Sequence, residues 1–160
     1  MTTTHNPAAV YLNLRQMILS LTPEKARLRP TPSTPHVWGV LMEMGYPEGC
    51  ATLVALADGT TSLYYSSGGG LLGCGSVPAV TGATITCLET AEAYLPQMQP
   101  TRDLPLPAAW QIRFVLLTFQ GILTATAPEA ELYDGEHSLS GLYTAAQAVL
   151  TQVRLLSEKP

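Results

Sequence analysis

The chain has 160 residues, a hydrophobic content of 46%, a charged content of only 12% and a formal net charge of −4. This length suits one soluble domain, and we expect residues 1–160 to form it. The eight Lys and Arg residues are scattered along the chain, so no basic stripe is available for nucleic acid. Charged residues are about half as frequent as in typical domains, which favours association between copies of the chain.

The first half of the chain predicts one helix followed by three strands. Residues 8–21 place apolar side chains at helical spacing, and a proline-rich connector over 26–35 follows them. Alternating and β-branched runs predict strands over 36–44, 51–57 and 60–66. In the first strand we expect Trp38, Val40, Met42 and Met44 to share one face. Asp58-Gly59 predicts a type I′ hairpin between the second and third strands.

One long segment is almost free of charge. Residues 49–88 contain a single charged side chain, Asp58. Because charges are rarely buried without a partner, this segment indicates a central sheet covered by helices, by a second subunit, or by both.

The second half predicts a helix, a hairpin and a final helix. A short strand, Leu71–Cys74, precedes a helix capped by Ser76, and residues 96–107 form a second proline-rich connector. Strands over 110–119 and 122–126 are joined at Gln120-Gly121, and the last helix starts at Ser138 or Ser140. The predicted fold is α+β: a mainly antiparallel sheet of about five strands, flanked by three helices in the order α-β-β-β-α-β-β-α.

The glycine-rich segment 66–76 is the candidate ligand site. Backbone N–H groups before a helix can hold a phosphate or a carboxylate, although the segment matches neither a P-loop nor G-x-G-x-x-G. The structural alternative is a bent strand whose glycines allow another backbone to approach closely. The candidate residues are Ser66, Ser67, Gly68, Gly69, Gly70, Gly73, Cys74, Gly75 and Ser76.

The cysteines indicate a reduced compartment. Cys50, Cys74 and Cys87 are odd in number and lack C-x-x-C spacing, which is typical of cytoplasmic thiols and does not suit zinc. Cys74, next to a predicted helix start, is also a candidate nucleophile with His36 or His137 as its base, although a small packed side chain explains it equally well.

The acidic segment 129–137 is a candidate cation site that also has a purely structural explanation. Its four carboxylates and one histidine could hold a divalent cation, but acidic residues also stabilise the start of a helix. We expect no metal and no cofactor. The N-terminal sequence MTTTHNPAAVYLNL lacks a basic segment followed by an apolar run, and no apolar block is long enough to cross a membrane, so we expect a cytoplasmic protein without membrane contact.

Two further sets of residues stand out within the strands. Glu43 and Arg113 are isolated charges in apolar strands and are candidates for a buried pair if they share a sheet face. Trp38, Tyr64, Tyr65 and Trp110 could line a ligand pocket, although aromatic residues on strands usually belong to a core or an interface.

Two segments of the chain resemble other proteins, namely VWGVLMEMGYPEGCATLVALADGTTSLYYSSGGGLLG and IRFVLLTFQGILTATAPEAEL. The pattern MGYP…ATLVALADGTTSLY…GGG resembles a family of small uncharacterised bacterial proteins, which implies no known activity and assigns no functional residues. The layout is also similar to profilin-like and roadblock-like modules. Those modules place a helix after the second strand, whereas here Asp58-Gly59 leads directly into a third.

Three hypotheses for function follow. The leading one is a non-enzymatic protein-association domain that forms a homodimer, because the sheet is shielded and surface charge is sparse. The alternative is a small-ligand or anion-binding module that uses residues 66–76. The third is an enzyme that uses Cys74 or the acidic segment.

Overall fold

The computed structural model describes residues 6–157 and shows an α+β architecture built on one antiparallel sheet. The strands are β1 (Val37–Tyr46), β2 (Gly49–Leu56), β3 (Thr61–Tyr65), β4 (Gly70–Leu71), β5 (Gln99–Pro100), β6 (Gln111–Thr118) and β7 (Gly121–Pro128). The helices are α1 (Ala9–Leu19), α2 (Pro23–Ala26), α3 (Pro78–Glu92), α4 (Glu129–Tyr133) and α5 (Ser140–Ser157). The strand order is β4-β3-β2-β1-β6-β7-β5. The prediction that no secretory signal is present depends on the N-terminal sequence MTTTHNPAAVYLNL. Its residues 1–5 lie outside the described part.

The α+β class is confirmed, but the numbers of strands and helices predicted from the sequence were too low. The described residues form seven strands and five α-helices, against about five strands and three helices. The additional elements are short. β5 has two residues and lies inside the predicted connector 96–107, while α2 and α4 have four and five residues. Such short elements carry too little periodicity to be recognised in a sequence.

The sheet separates two apolar cores. On one face α3 and α5 pack against each other and against the strands, burying side chains such as Val80, Leu88 and Val149. On the other face α1 covers a smaller core that contains Tyr11, Trp38 and Val54. Helical cover therefore accounts for the strands β2 and β3 of the nearly uncharged segment, as one of the sequence alternatives anticipated, whereas residues 67–70 of the same segment are exposed.

Strand β1 changes face near its start. Val40, Met42 and Met44 lie in the α3–α5 core, but Trp38 lies in the α1 core with Leu41. The pairing of β1 with β6 shifts register between Val37 and Gly39, which breaks the alternation at this point. The prediction that Trp38 shares a face with Val40 was therefore wrong.

Both predicted hairpins are present, but the first uses a different turn. β2 ends at Leu56 and β3 begins at Thr61, so four residues connect them. Gly59 has φ of +92°, whereas Asp58 has no positive φ and instead accepts a hydrogen bond from the Thr60 N–H at 2.8 Å. The side chain of Asp58 organises the turn. Because type I′ needs a positive φ at both central residues, the backbone of Asp58 excludes it.

The start of α3 and the orientation of α1 also differ from the prediction. Ser76 belongs to a short 3₁₀ turn, and the residue before α3 is Val77, which makes no side-chain cap. In α1 the buried side chains are Tyr11 and Ile18, while Met17 is 58% exposed. No helix within residues 6–157 has both the length and the apolar character needed to cross a membrane.

Candidate functional site

The nine candidate residues of the glycine-rich segment do not converge on one cavity. Ser67, Gly68 and Gly69 lie in an exposed turn, Gly70 opens β4, and Cys74 to Ser76 form the 3₁₀ turn before α3. Ser66 is buried, and its backbone N–H and hydroxyl oxygen bond to the backbone of Cys50. The Gly68 N–H donates to the Tyr65 carbonyl.

Two glycines of this segment are needed for close backbone packing. A β carbon on Gly75 would overlap the carbonyl oxygen of Gly59, and one on Gly70 would overlap that of Leu63. Gly73 has φ of +68°, a conformation that favours glycine. These positions fit the structural alternative, in which glycine lets one backbone lie directly against another.

Cys74 and the acidic segment offer little support for catalysis or metal binding. Cys74 is buried, and burial raises the pKa of its thiol, the opposite of what a thiolate nucleophile needs. Cys50 and Cys87 are also buried, and all three thiols are free. No group of three or more His, Cys, Asp or Glu side chains within residues 6–157 is placed to hold a metal ion.

Glu43 pairs with Arg15 and not with Arg113. The β1–β6 register places Arg113 directly opposite Glu43, as the sequence interpretation required, but the guanidinium of Arg113 donates to the Pro105 carbonyl. Both Glu43 oxygens instead accept from Arg15 at 2.7 Å, and Thr52 donates to one of them at 2.7 Å. These bonds fix α1 to the sheet.

The candidate ligand site is a cavity of about 630 Å³ on the α3–α5 side of the sheet. Its floor comes from the neighbouring ends of β1, β2 and β3, and its walls come from α4, α5 and the residue that precedes β6. The residues that line it are Met44, Tyr46, Cys50, Ala51, Leu63, Tyr65, Trp110, Glu129, Ala130, Tyr133, Asp134, Tyr143, Gln147, Leu150 and Arg154.

Five aromatic side chains surround this cavity, and two of them are well exposed. Trp110 is 57% exposed and Tyr133 is 78% exposed. The rings of Trp110 and Tyr46 meet edge to face, with centroids 5.9 Å apart. Trp110 also has φ of +63°, which is rare for a bulky residue and concentrates at functional sites. The Trp110 N–H donates to the Gly45 carbonyl, and its carbonyl accepts from Glu129, so the backbone is held on both sides.

The polar groups of the cavity lie around these rings. The Tyr143 hydroxyl donates to a Glu129 carboxylate oxygen at 3.4 Å. Burial, aided by the negative charge of Glu129, raises the pKa of Tyr143 from 10.0 to about 12, so its phenol keeps its proton at a pH where a free tyrosine ionises. Burial and Glu129 also raise the pKa of Tyr46, while Arg154 acts in the opposite direction. Glu129 and Arg154 therefore both act on the Tyr46 phenol, in opposite directions.

Sequence reasoning found part of this site. Of the four aromatic residues proposed for a pocket, Tyr65 and Trp110 line the cavity, whereas Trp38 and Tyr64 lie in the α1 core. Tyr46, Tyr133 and Tyr143 were missed as ligand-site residues. Glu129 and Asp134 were noticed only as a possible cation site. The available signal was the concentration of tyrosines near element ends, which has meaning only once strand order is known.

Comparisons of the chain with protein-family models, with curated proteins and with solved structures found no match. The resemblance noted in the sequence stays a prediction, and the functional argument depends on the cavity.

Proposed function

We propose that the protein binds a small organic molecule in the cavity between the sheet, α4 and α5. The observation that carries this proposal is the combination of a volume of about 630 Å³ with an apolar floor and a few polar groups at its wall. Small-molecule sites typically enclose roughly 300–1,000 Å³ and have this composition. The strained and exposed Trp110 at the same cavity adds a second, independent support.

Binding, and not catalysis, is the role that we propose. The Tyr143 phenol holds its proton more tightly than a free tyrosine, which disfavours it as a base or nucleophile at neutral pH. Burial also raises the pKa of the Cys50 thiol, which lines the cavity, so this thiol is equally unsuited to react. The polar groups are better suited to orienting a ligand.

The neutral fluorescent probe N-phenyl-1-naphthylamine tests this function, since its emission rises in an apolar site. Ala130 lines the cavity on α4, and we expect the Ala130→Phe variant to fill part of the cavity and lower the affinity at least about 10-fold, the ratio that about 1.4 kcal/mol gives. Ala79→Phe adds the same side chain at another exposed helical alanine, outside the cavity, and serves as the matched control. The proposal is overturned if the probe does not bind, or if both variants bind it as the unchanged protein does.

We propose self-association as a second candidate function. Nine large hydrophobic side chains among the described residues are exposed, and three of them, Val10, Leu12 and Met17, belong to α1. This helix also lacks acidic residues in its first turn and basic residues in its last turn. Exposed apolar surface of this kind favours burial against a second copy.

Sedimentation equilibrium tests the second function. We expect a dimer at micromolar concentration, and we expect Met17→Lys to shift the protein toward monomer. A monomer in the unchanged protein at these concentrations would contradict self-association without bearing on ligand binding.

A further inference from the structure

We propose that the cavity selects an organic cation, namely a molecule with one ammonium group and a small apolar body. This inference rests on the proposed ligand-binding function and specifies its ligand class.

The first argument is the density of aromatic rings. Four tyrosines and one tryptophan contribute to a wall that also contains Met44, Leu63 and Leu150. The face of an aromatic ring carries negative charge density and attracts cations, with tryptophan the strongest of the group. The apolar residues accommodate the body of such a ligand, since they exclude water without requiring a polar partner.

The second argument is the charge of the wall. Two carboxylates, Glu129 and Asp134, line the cavity with one guanidinium, that of Arg154. The two ion pairs formed within residues 6–157 are Arg15–Glu43 and His36–Glu92, so neither carboxylate is neutralised by a salt bridge. Two carboxylates and one guanidinium leave one negative charge in excess, which is enough to balance a monovalent cation beside the aromatic faces.

The third argument is position. Glu129 is half-buried and receives the hydroxyl hydrogen bond of Tyr143, which orients the carboxylate beside the rings. Arg154, in contrast, lies on the exposed surface of α5, where water screens its charge. Glu129 also acts more strongly than Arg154 on the phenol of Tyr46. Glu129 therefore makes the interior of the cavity negative, while the exposed side chains of Arg154 and Asp134 lie at its edge.

Three probes of similar size and different charge test the inference: benzyltrimethylammonium, benzyl alcohol and phenylacetate, titrated by isothermal calorimetry. We expect the cation to bind at least about 10-fold more tightly than benzyl alcohol, since a cation–π contact and a nearby carboxylate together exceed about 1.4 kcal/mol. Glu129→Gln should lower the affinity for the cation several-fold while leaving the affinity for benzyl alcohol unchanged. Arg154→Gln should raise the affinity for the cation.

A matched control removes the effect of overall charge. Glu89→Gln changes the net charge by the same amount as Glu129→Gln, but Glu89 is an exposed residue of α3 that does not line the cavity. We expect Glu89→Gln to bind the cation as the unchanged protein does.

The outcomes separate the two proposals. If benzyl alcohol binds and the cation binds no more tightly, the cavity is a ligand site but the cation inference is overturned. Tighter binding of phenylacetate, lost in Arg154→Gln, would also overturn it and would identify an anionic ligand. If none of the three probes binds at millimolar concentration, both the cation inference and the proposed function fail.

Discussion

A single arginine compensates the buried carboxylate at the centre of the sheet. Glu43 is fully buried, and Arg15 reaches it from α1 with two N–H donors while also donating to the Leu104 carbonyl. Removing one partner of a buried ion pair leaves an uncompensated charge, which costs far more than the pair itself contributes. The same contact therefore fixes how α1 lies on the sheet.

We expect Arg15→Met to lower the free energy of unfolding by about 3–5 kcal/mol, because Glu43 loses its counter-charge. The double variant Arg15→Met/Glu43→Met should be less destabilised than Arg15→Met alone. Urea unfolding measures both, and Arg29→Met, at an exposed connector residue, is the control. Equal stability of Arg15→Met and the control would show that the ion pair does not hold α1.

The thiol of Cys87 gives the stability a dependence on alkaline pH. Burial raises its pKa from 9.0 to about 12, so above pH 9 the unfolded chain loses this proton while the folded chain keeps it. The folded state then binds more protons, and stability falls as the pH rises through this window.

We expect the free energy of unfolding to fall by up to about 1.4 kcal/mol per pH unit from this thiol between pH 9 and 10. Cys87→Ala should be less stable at neutral pH, because it leaves a small cavity, yet show a shallower decline. Urea unfolding at pH 8, 9 and 10 provides the comparison. An unchanged slope in the variant would rule out Cys87 as the source.

At the level of elements, glycine decides how closely the turn before α3 approaches the first hairpin. Gly75 lies directly against the backbone of Gly59, where a β carbon has no space, whereas Gly82 in α3 has open space around it. The same substitution at the two positions should therefore act in opposite directions.

We expect Gly75→Ala to destabilise the protein by about 1–3 kcal/mol through overpacking. Gly82→Ala should stabilise it by about 0.5–1 kcal/mol, since alanine restricts the unfolded chain and favours the helix. Thermal unfolding of both variants tests this. A neutral effect at Gly75 would mean that the turn moves freely and that the contact does not position α3.

Local patterns were sufficient for much of the fold. The helical spacing in α3 and α5 and the positions of both hairpins followed from periodicity and turn residues. The orientation of α1 did not, because the polar residues Tyr11 and Arg15 face inward to reach Thr52 and Glu43. The bulge at Trp38 was not predicted either, because it arises from pairing with a strand that lies more than 70 residues away along the chain.

At the level of the whole molecule, the cavity exists because the topology joins distant parts of the chain. The ends of β1 and β3 meet α4 and α5 at one side of the sheet, although these elements are widely separated in sequence. No local sequence motif predicts that these elements lie together. The sequence pattern therefore favoured the glycine-rich segment 66–76 as the ligand site. The glycines explain close packing, whereas the aromatic residues line the candidate site.

The two tryptophans allow the most direct test of the ligand site. Trp110 lines the cavity, while Trp38 is buried on the opposite side of the sheet. Nuclear magnetic resonance of ¹⁵N-labelled protein, titrated with benzyl alcohol, follows the two indole N–H signals and the backbone amides together. We expect saturable shifts at the Trp110 indole and at Tyr65, Glu129 and Tyr143, with the Trp38 indole unchanged. Shifts concentrated in residues 66–76, or no saturable shift at any residue, would contradict binding in the cavity.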